Sequence, residues 1–115
     1  MAVLGTYVGN VNLPVSLNLA GASLTDLFTA PDDSATAASI SFANDTAGSV
    51  NCYVYWYQAS TATDFMVWVG AVASKTTVTI SDIPIRMREG DKIKVVGAAN
   101  VRATVINMAN YALSR

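Results

Sequence analysis

The chain has no histidine, a single cysteine, and charged side chains at only 13% of its 115 positions. Without histidine it lacks the commonest general base and metal ligand of neutral pH. One cysteine excludes an intrachain disulfide. No apolar run approaches the roughly 18–20 residues that cross a bilayer as a helix, and the opening Met1-Ala-Val-Leu-Gly-Thr has neither the basic region nor the long apolar block of a secretory signal, so it reads as a cytosolic start. No phosphate-cradling glycine loop is present. Asp32 and Asp33, adjacent after Pro31, have the setting of a solvated turn rather than of a calcium loop or a catalytic pair. These absences argue against an enzyme, and no cofactor or metal is expected.

Basic residues are also missing from a long stretch. Residues 1–74 carry no Lys or Arg against Asp26, Asp32, Asp33, Asp45 and Asp64, a net of −5, while residues 75–115 hold seven basic side chains against Asp82, Glu89 and Asp91, a net of +4. Separated on two faces, such halves would orient neighbouring copies; interleaved in one sandwich, they would cancel. Lys92 and Lys94 share a strand face with too few basic neighbours for a nucleic-acid stripe, so neither a nucleic acid nor a membrane is an expected partner. The low overall charge favours a protein whose outer surface is largely covered by other subunits.

What the chain does contain is alternation. Ile40 and Phe42 alternate with Ser39 and Ser41; Val50, Cys52, Val54 and Trp56 alternate with Asn51, Tyr53, Tyr55 and Tyr57; and Ile83, Ile85 and Met87 alternate with Pro84 and Arg86. Successive strand side chains point to opposite faces, so each run has a buried and an outer edge. Strands are expected at about 3–8, 13–19, 24–29, 36–43, 50–58, 65–72, 76–80, 83–87, 92–96 and 101–108, the weaker of these merging or lapsing into turns. Asn44 to Gly48 is expected to close a hairpin between two of them, and Arg88-Glu89-Gly90-Asp91 to form a tight turn with Gly90 at positive φ. Eight or nine short strands at such spacings predict an all-β, two-sheet antiparallel β-sandwich, jelly-roll-like, in one domain over 1–115. Residues 1–12, apolar and uncharged, are either its first strand or an N-terminal arm that adds to a neighbour's sheet.

Two segments stand out as candidate surfaces. Tyr53, Tyr55 and Tyr57 form a ladder opposite the core residues of their strand, a pattern that suits a protein interface, a sugar-stacking platform or the plain outer cover of a sheet. In the next strand Met66 and Trp68 alternate against Phe65, Val67 and Val69, so it is apolar on both sides and its second side needs a loop or another subunit. Ile106 and Met108, set against Ala103 and Val105, pose the same question. Cys52, on the core side with no histidine to activate it, is expected to be packed and inert.

The run Phe42-Ala43-Asn44-Asp45-Thr46 leading into Val50–Tyr57, then Ile83-Pro84-Ile85, Arg88-Glu89-Gly90-Asp91-Lys92-Ile93 and a last strand from Val101, resembles small all-β accessory proteins of tailed bacteriophage virions. The resemblance spans about residues 24–110, with Leu27-Phe28-Thr29-Ala30-Pro31 opening the sandwich. It implies a non-enzymatic structural part located in the virion, most often a head decoration or cement protein that multimerises and stabilises the head by binding the major capsid protein lattice. Alternatives are a tail, connector or fibre-attachment component, or a carbohydrate-binding module of an adhesin.

Overall fold

A computed structural model describes residues 10–31 and 35–109. The strand expected at 3–8, the arm ahead of Asn10 and the Asp32-Asp33 pair lie outside the described residues. Ten strand segments follow in order: β1 (Asn10–Val11), β2 (Val15–Asn18), β3 (Thr25–Thr29), β4 (Ala35–Asn44), β5 (Val50–Gln58), β6 (Thr63–Val72), β7 (Thr76–Ile80), β8 (Ile85–Met87), β9 (Lys92–Val96) and β10 (Val101–Ala109). β1 and β2 both pair with β10, and β7 and β8 both pair with β4, so ten segments fill eight strand positions. One sheet runs β2-β10-β4-β7 and the other β3-β9-β5-β6, all antiparallel. With the chain passing repeatedly from one sheet to the other, this is the order of a jelly-roll sandwich.

The expected hairpin at Asn44–Gly48 is corrected by this order. β4 and β5 belong to different sheets, so the segment between them is a crossover. Its physical anchor is Asn44, 2% exposed, which uses its whole side chain. Nδ2 donates to the carbonyl oxygens of Gly48 (2.8 Å) and Val72 (2.9 Å), while Oδ1 accepts from Thr46 N (2.9 Å) and Thr46 Oγ1 (2.6 Å). A buried amide is tolerated only when paired in this way. Because Val72 ends β6 in the opposite sheet, the same amide fastens the two sheets at one rim.

The interior is filled by the inward residues of the four central strands. Ile40, Phe42, Ala103 and Val105 from one sheet meet Cys52, Val54, Ile93 and Val95 from the other, all buried. Burial pushes the Cys52 thiol up, disfavouring the thiolate needed for reaction. Three bulges adjust the register among the described strands. One lies at Ala38, skipped between the Ile106↔Ser39 and Asn107↔Ala37 pairs; it resets the alternation of β4, so that Ala35 and Ala37 face inward along with Ile40 and Phe42, while β10 alternates without interruption to the buried Asn107, whose Oδ1 accepts from Asn12 Nδ2 at 2.8 Å. The others are in β3 and β6.

The charged halves do interleave. Lys75 pairs with Asp45 (2.8 Å), Lys92 with Asp26 (3.0 Å) and Lys94 with Asp64 (3.1 Å), each joining a base of the second part to an acid of the first. The hydrogen bond and charge of Lys75 hold the Asp45 carboxyl below its usual range. That contribution is present above the unfolded carboxylate pKa and is lost as pH falls through the folded one; on a fully exposed pair it is small and screened by salt.

Asn44→Ala is expected to lower the unfolding free energy by about 2–4 kcal/mol, since it strands two carbonyl oxygens and the Thr46 donors. A shifted urea midpoint at unchanged slope is the signature; an unchanged midpoint would remove Asn44 as the inter-sheet anchor.

Candidate interface

The outer surface of the β3-β9-β5-β6 sheet is laid out by register. Tyr53 stands between Val69 of β6 and Val96 of β9; Tyr55 between Met66 and Lys94; Tyr57 between Asp64 and Lys92. Directly paired residues share a face, so the three tyrosines, Met66 and Val69 all look away from the core. The tyrosines are half-buried by their neighbours, whereas Met66 and Val69 are each 52% exposed.

Trp68 is a correction to the expected arrangement. Simple alternation places it on the same side as Met66, two residues away. A bulge intervenes: Val54 pairs with Trp68 and Tyr55 with Met66, which leaves Val67 unpaired and resets the alternation. Val67 and Trp68 therefore both pack against the core, and Val69 joins Met66 outside. The Trp68 ring stacks on Phe42 of the facing sheet, centroids 5.8 Å apart at 17°. Its bed is Gly70, where a Cβ would sit 2.6 Å from Cζ2 and 2.8 Å from Cη2 of the indole. Glycine is required there by the ring that lies over it, so Trp68 is a core residue rather than part of the outer face.

The polar end of this face is a tight lattice. Lys94 Nζ lies 4.3 Å and Lys92 Nζ 5.6 Å from the Tyr57 ring centroid, while the ammoniums pair with Asp64 and Asp26. The hydrogen bond and charge of Asp26 push Lys92 up from its ordinary value. The folded pKa exceeds the unfolded one, so this support is complete below the unfolded lysine pKa and fades as pH climbs through the folded one. The face thus divides into a charge-neutralised corner around Tyr57 and an apolar stretch of Tyr53, Tyr55, Met66 and Val69. That stretch adjoins the ten-residue strand β6, which pairs with β5 alone among the described strands and carries no Lys, Arg or Pro. Such an edge is a ready template for another chain. The opposite sheet differs: Ser16, Thr104, Ser41 and Thr79 form a hydroxyl row across it, while Ile106 and Met108 face outward beside them, half-buried.

Two residues that carry much of the geometry escape a sequence reading. Asp91, 4% exposed, accepts from Trp56 Nε1 (3.3 Å), Ala59 N (3.0 Å) and Arg88 N (3.2 Å), tying the β8–β9 turn to the end of β5. Gly90 in that turn has φ +88°, as expected. Val69 shows only as one more apolar residue in an apolar strand until the bulge is located.

No family model matches the chain, and no curated protein matches it in sequence. Solved structures do resemble its fold. A protein of Bacillus endospore appendages, described as a family of disulfide-linked pili, superposes with a TM-score of 0.52 at 12% identity over 97% of this chain and 98% of that one. The CBM22-1–GH10 portion of xylanase 10B from Clostridium thermocellum, complexed with xylohexaose, gives 0.51 at 9% identity over 95% of this chain, which spans only 29% of that protein. A pentameric capsid protein from metagenomic phage sequences gives 0.48 at 12% identity, covering 95% and 67% of the two chains. At these identities the first two likenesses establish the fold alone, and the third is too distant to add to them.

Trp68→Ala is expected to cost about 3 kcal/mol by emptying the space between Gly70 and Phe42, and Met66→Ala no more than about 0.5 kcal/mol. Chemical denaturation of the two variants checks the contrast; equal losses would mean that the bulge does not divide them between core and surface.

Proposed function

We propose that the protein is a non-enzymatic structural component of a virion, a jelly-roll subunit that multimerises and decorates a bacteriophage head by binding its major capsid lattice. The observation that carries this reading is the apolar stretch of Met66 and Val69 against Tyr53 and Tyr55, running into the edge of β6 that no other described strand pairs with. Aromatic and methionine side chains of this kind are what protein interfaces concentrate, and a long edge without Lys, Arg or Pro is what soluble monomers usually blunt. The fold itself serves capsids and lectins alike, so the surface has to choose between them. A sugar platform on the tyrosine row is disfavoured because the Tyr57 ring already receives two lysine ammoniums. A disulfide-linked fibre is disfavoured because Cys52 is 0% exposed.

Decoration would stabilise the shell by linkage. A ligand that binds the assembled lattice and not its dissociated subunits shifts the equilibrium toward assembly. The tail, connector or fibre-attachment alternative would use the same surface to close a ring. Shells assembled from the capsid protein encoded alongside this chain provide the test. Wild-type protein is expected to pellet with them and to raise the temperature at which they lose integrity, while Met66→Glu and Val69→Lys, which place charge on the outer face, stay in the supernatant. Wild-type protein remaining wholly in the supernatant would overturn the reading.

A further inference from the structure

The three lysines are all neutralised by aspartates, but the side chains of Arg86 and Arg88 enter no ion pair among the described residues. They occupy alternate positions around Met87, which is 1% exposed and points into the core, so both arginines project from the same side of β8 into solvent. There they line a cleft of about 300 Å³ with Trp56, Gln58, Ser60 and Asp91.

Among the described residues, this cleft is rich in donors and poor in acceptors. Asp91, the one carboxylate among its described lining residues, has both oxygens committed to the N–H groups of Trp56, Ala59 and Arg88. Gln58 Oε1 accepts from Thr61 Oγ1 at 2.9 Å, which aims the carboxamide and leaves its Nε2 donors without a partner among the described residues. Two guanidiniums, an amide NH2 and the Ser60 hydroxyl therefore line the same space. Its walls are held firmly: the Arg88 backbone exchanges hydrogen bonds with Asp91 in both directions, and Trp56 is fixed by Asp91 on one side and by Phe65, stacked at 5.5 Å, on another.

We propose that this cleft binds an acidic saccharide, with Arg86 and Arg88 gripping its carboxylate and Gln58 and Ser60 donating to ring hydroxyls along the Trp56 wall. Guanidinium forks match a carboxylate in two-point hydrogen bonding better than any other side chain. The neutral donors and the indole would be idle with a bare anion, but suit a hydroxylated ring bearing one. The volume, at the lower end of ligand pockets, suits a single such residue of a longer chain. The site is separate from the tyrosine face, and its occupancy does not depend on decoration.

The test is a titration of the full-length, isotopically labelled chain with D-glucuronate, D-glucose and acetate, followed by nuclear magnetic resonance at the Trp56 indole N–H and the Gln58 side-chain amide. Glucuronate is expected to produce saturable shifts there, with affinity reduced about tenfold or more by Arg86→Gln or Arg88→Gln and unchanged by Arg102→Gln, which lies outside the cleft. Both arginines are exposed, so preserved β-strand resonances verify that each variant is folded. Absence of saturable shifts, equal binding of glucose or acetate, or undiminished binding by the two cleft variants would each overturn the proposal.

Discussion

Two sheets enclose one interior, and strand alternation sends every second side chain away from it. A strand with apolar residues on both sides therefore cannot satisfy all of them inside a single sandwich. In this chain β6 is that strand. The bulge at Val67 decides which residues win the interior: Val67 and Trp68 turn in, and Met66 and Val69 are left outside. Trp68 needs the space over Gly70 and the face of Phe42. The apolar outer patch is the complement of that choice, so core packing and surface chemistry are set by the same irregularity.

The rest of the molecule keeps this arrangement rigid with polar groups rather than with more apolar surface. Asn44 fastens one rim by bonding across the sheets, and Asp91 fastens the β8–β9 turn by collecting three N–H groups. Each is buried, and each is fully used, which is the condition under which buried polar groups specify a fold instead of weakening it. Three lysine–aspartate pairs cancel half of the charged side chains among the described residues, so little electrostatic repulsion keeps copies apart. Against this background Arg86 and Arg88, in no ion pair among the described residues, are conspicuous.

Much of this was legible in the sequence. Alternation in Val50–Gln58 and in Val101–Met108 marks both strands and their inward faces, because a half-buried strand writes its orientation directly into its residue order. The tyrosine row follows from the same rule, and so does the burial of Cys52. What could not be read has a common physical cause: it depends on pairing between distant segments. Bulges carry no residue signature, so simple counting puts Trp68 on the wrong side. Asn44 looks like a turn residue until Val72 is brought to it from the other sheet, and the turn it was expected to close proves to be a crossover. Likewise, the opposite charges of the two parts of the chain gave no hint of whether they would meet, since only the strand order brings Asp26 beside Lys92 and Asp64 beside Lys94.

The central claim is that the outward apolar stretch along β6 is covered by other protein subunits in the working state. Sedimentation equilibrium of the purified chain over a wide concentration range tests it most directly. The account predicts masses rising with concentration to multiples of the 12.1 kDa protomer. A single 12.1 kDa species at every concentration, with Met66 and Val69 fully open to solvent labelling, would contradict it.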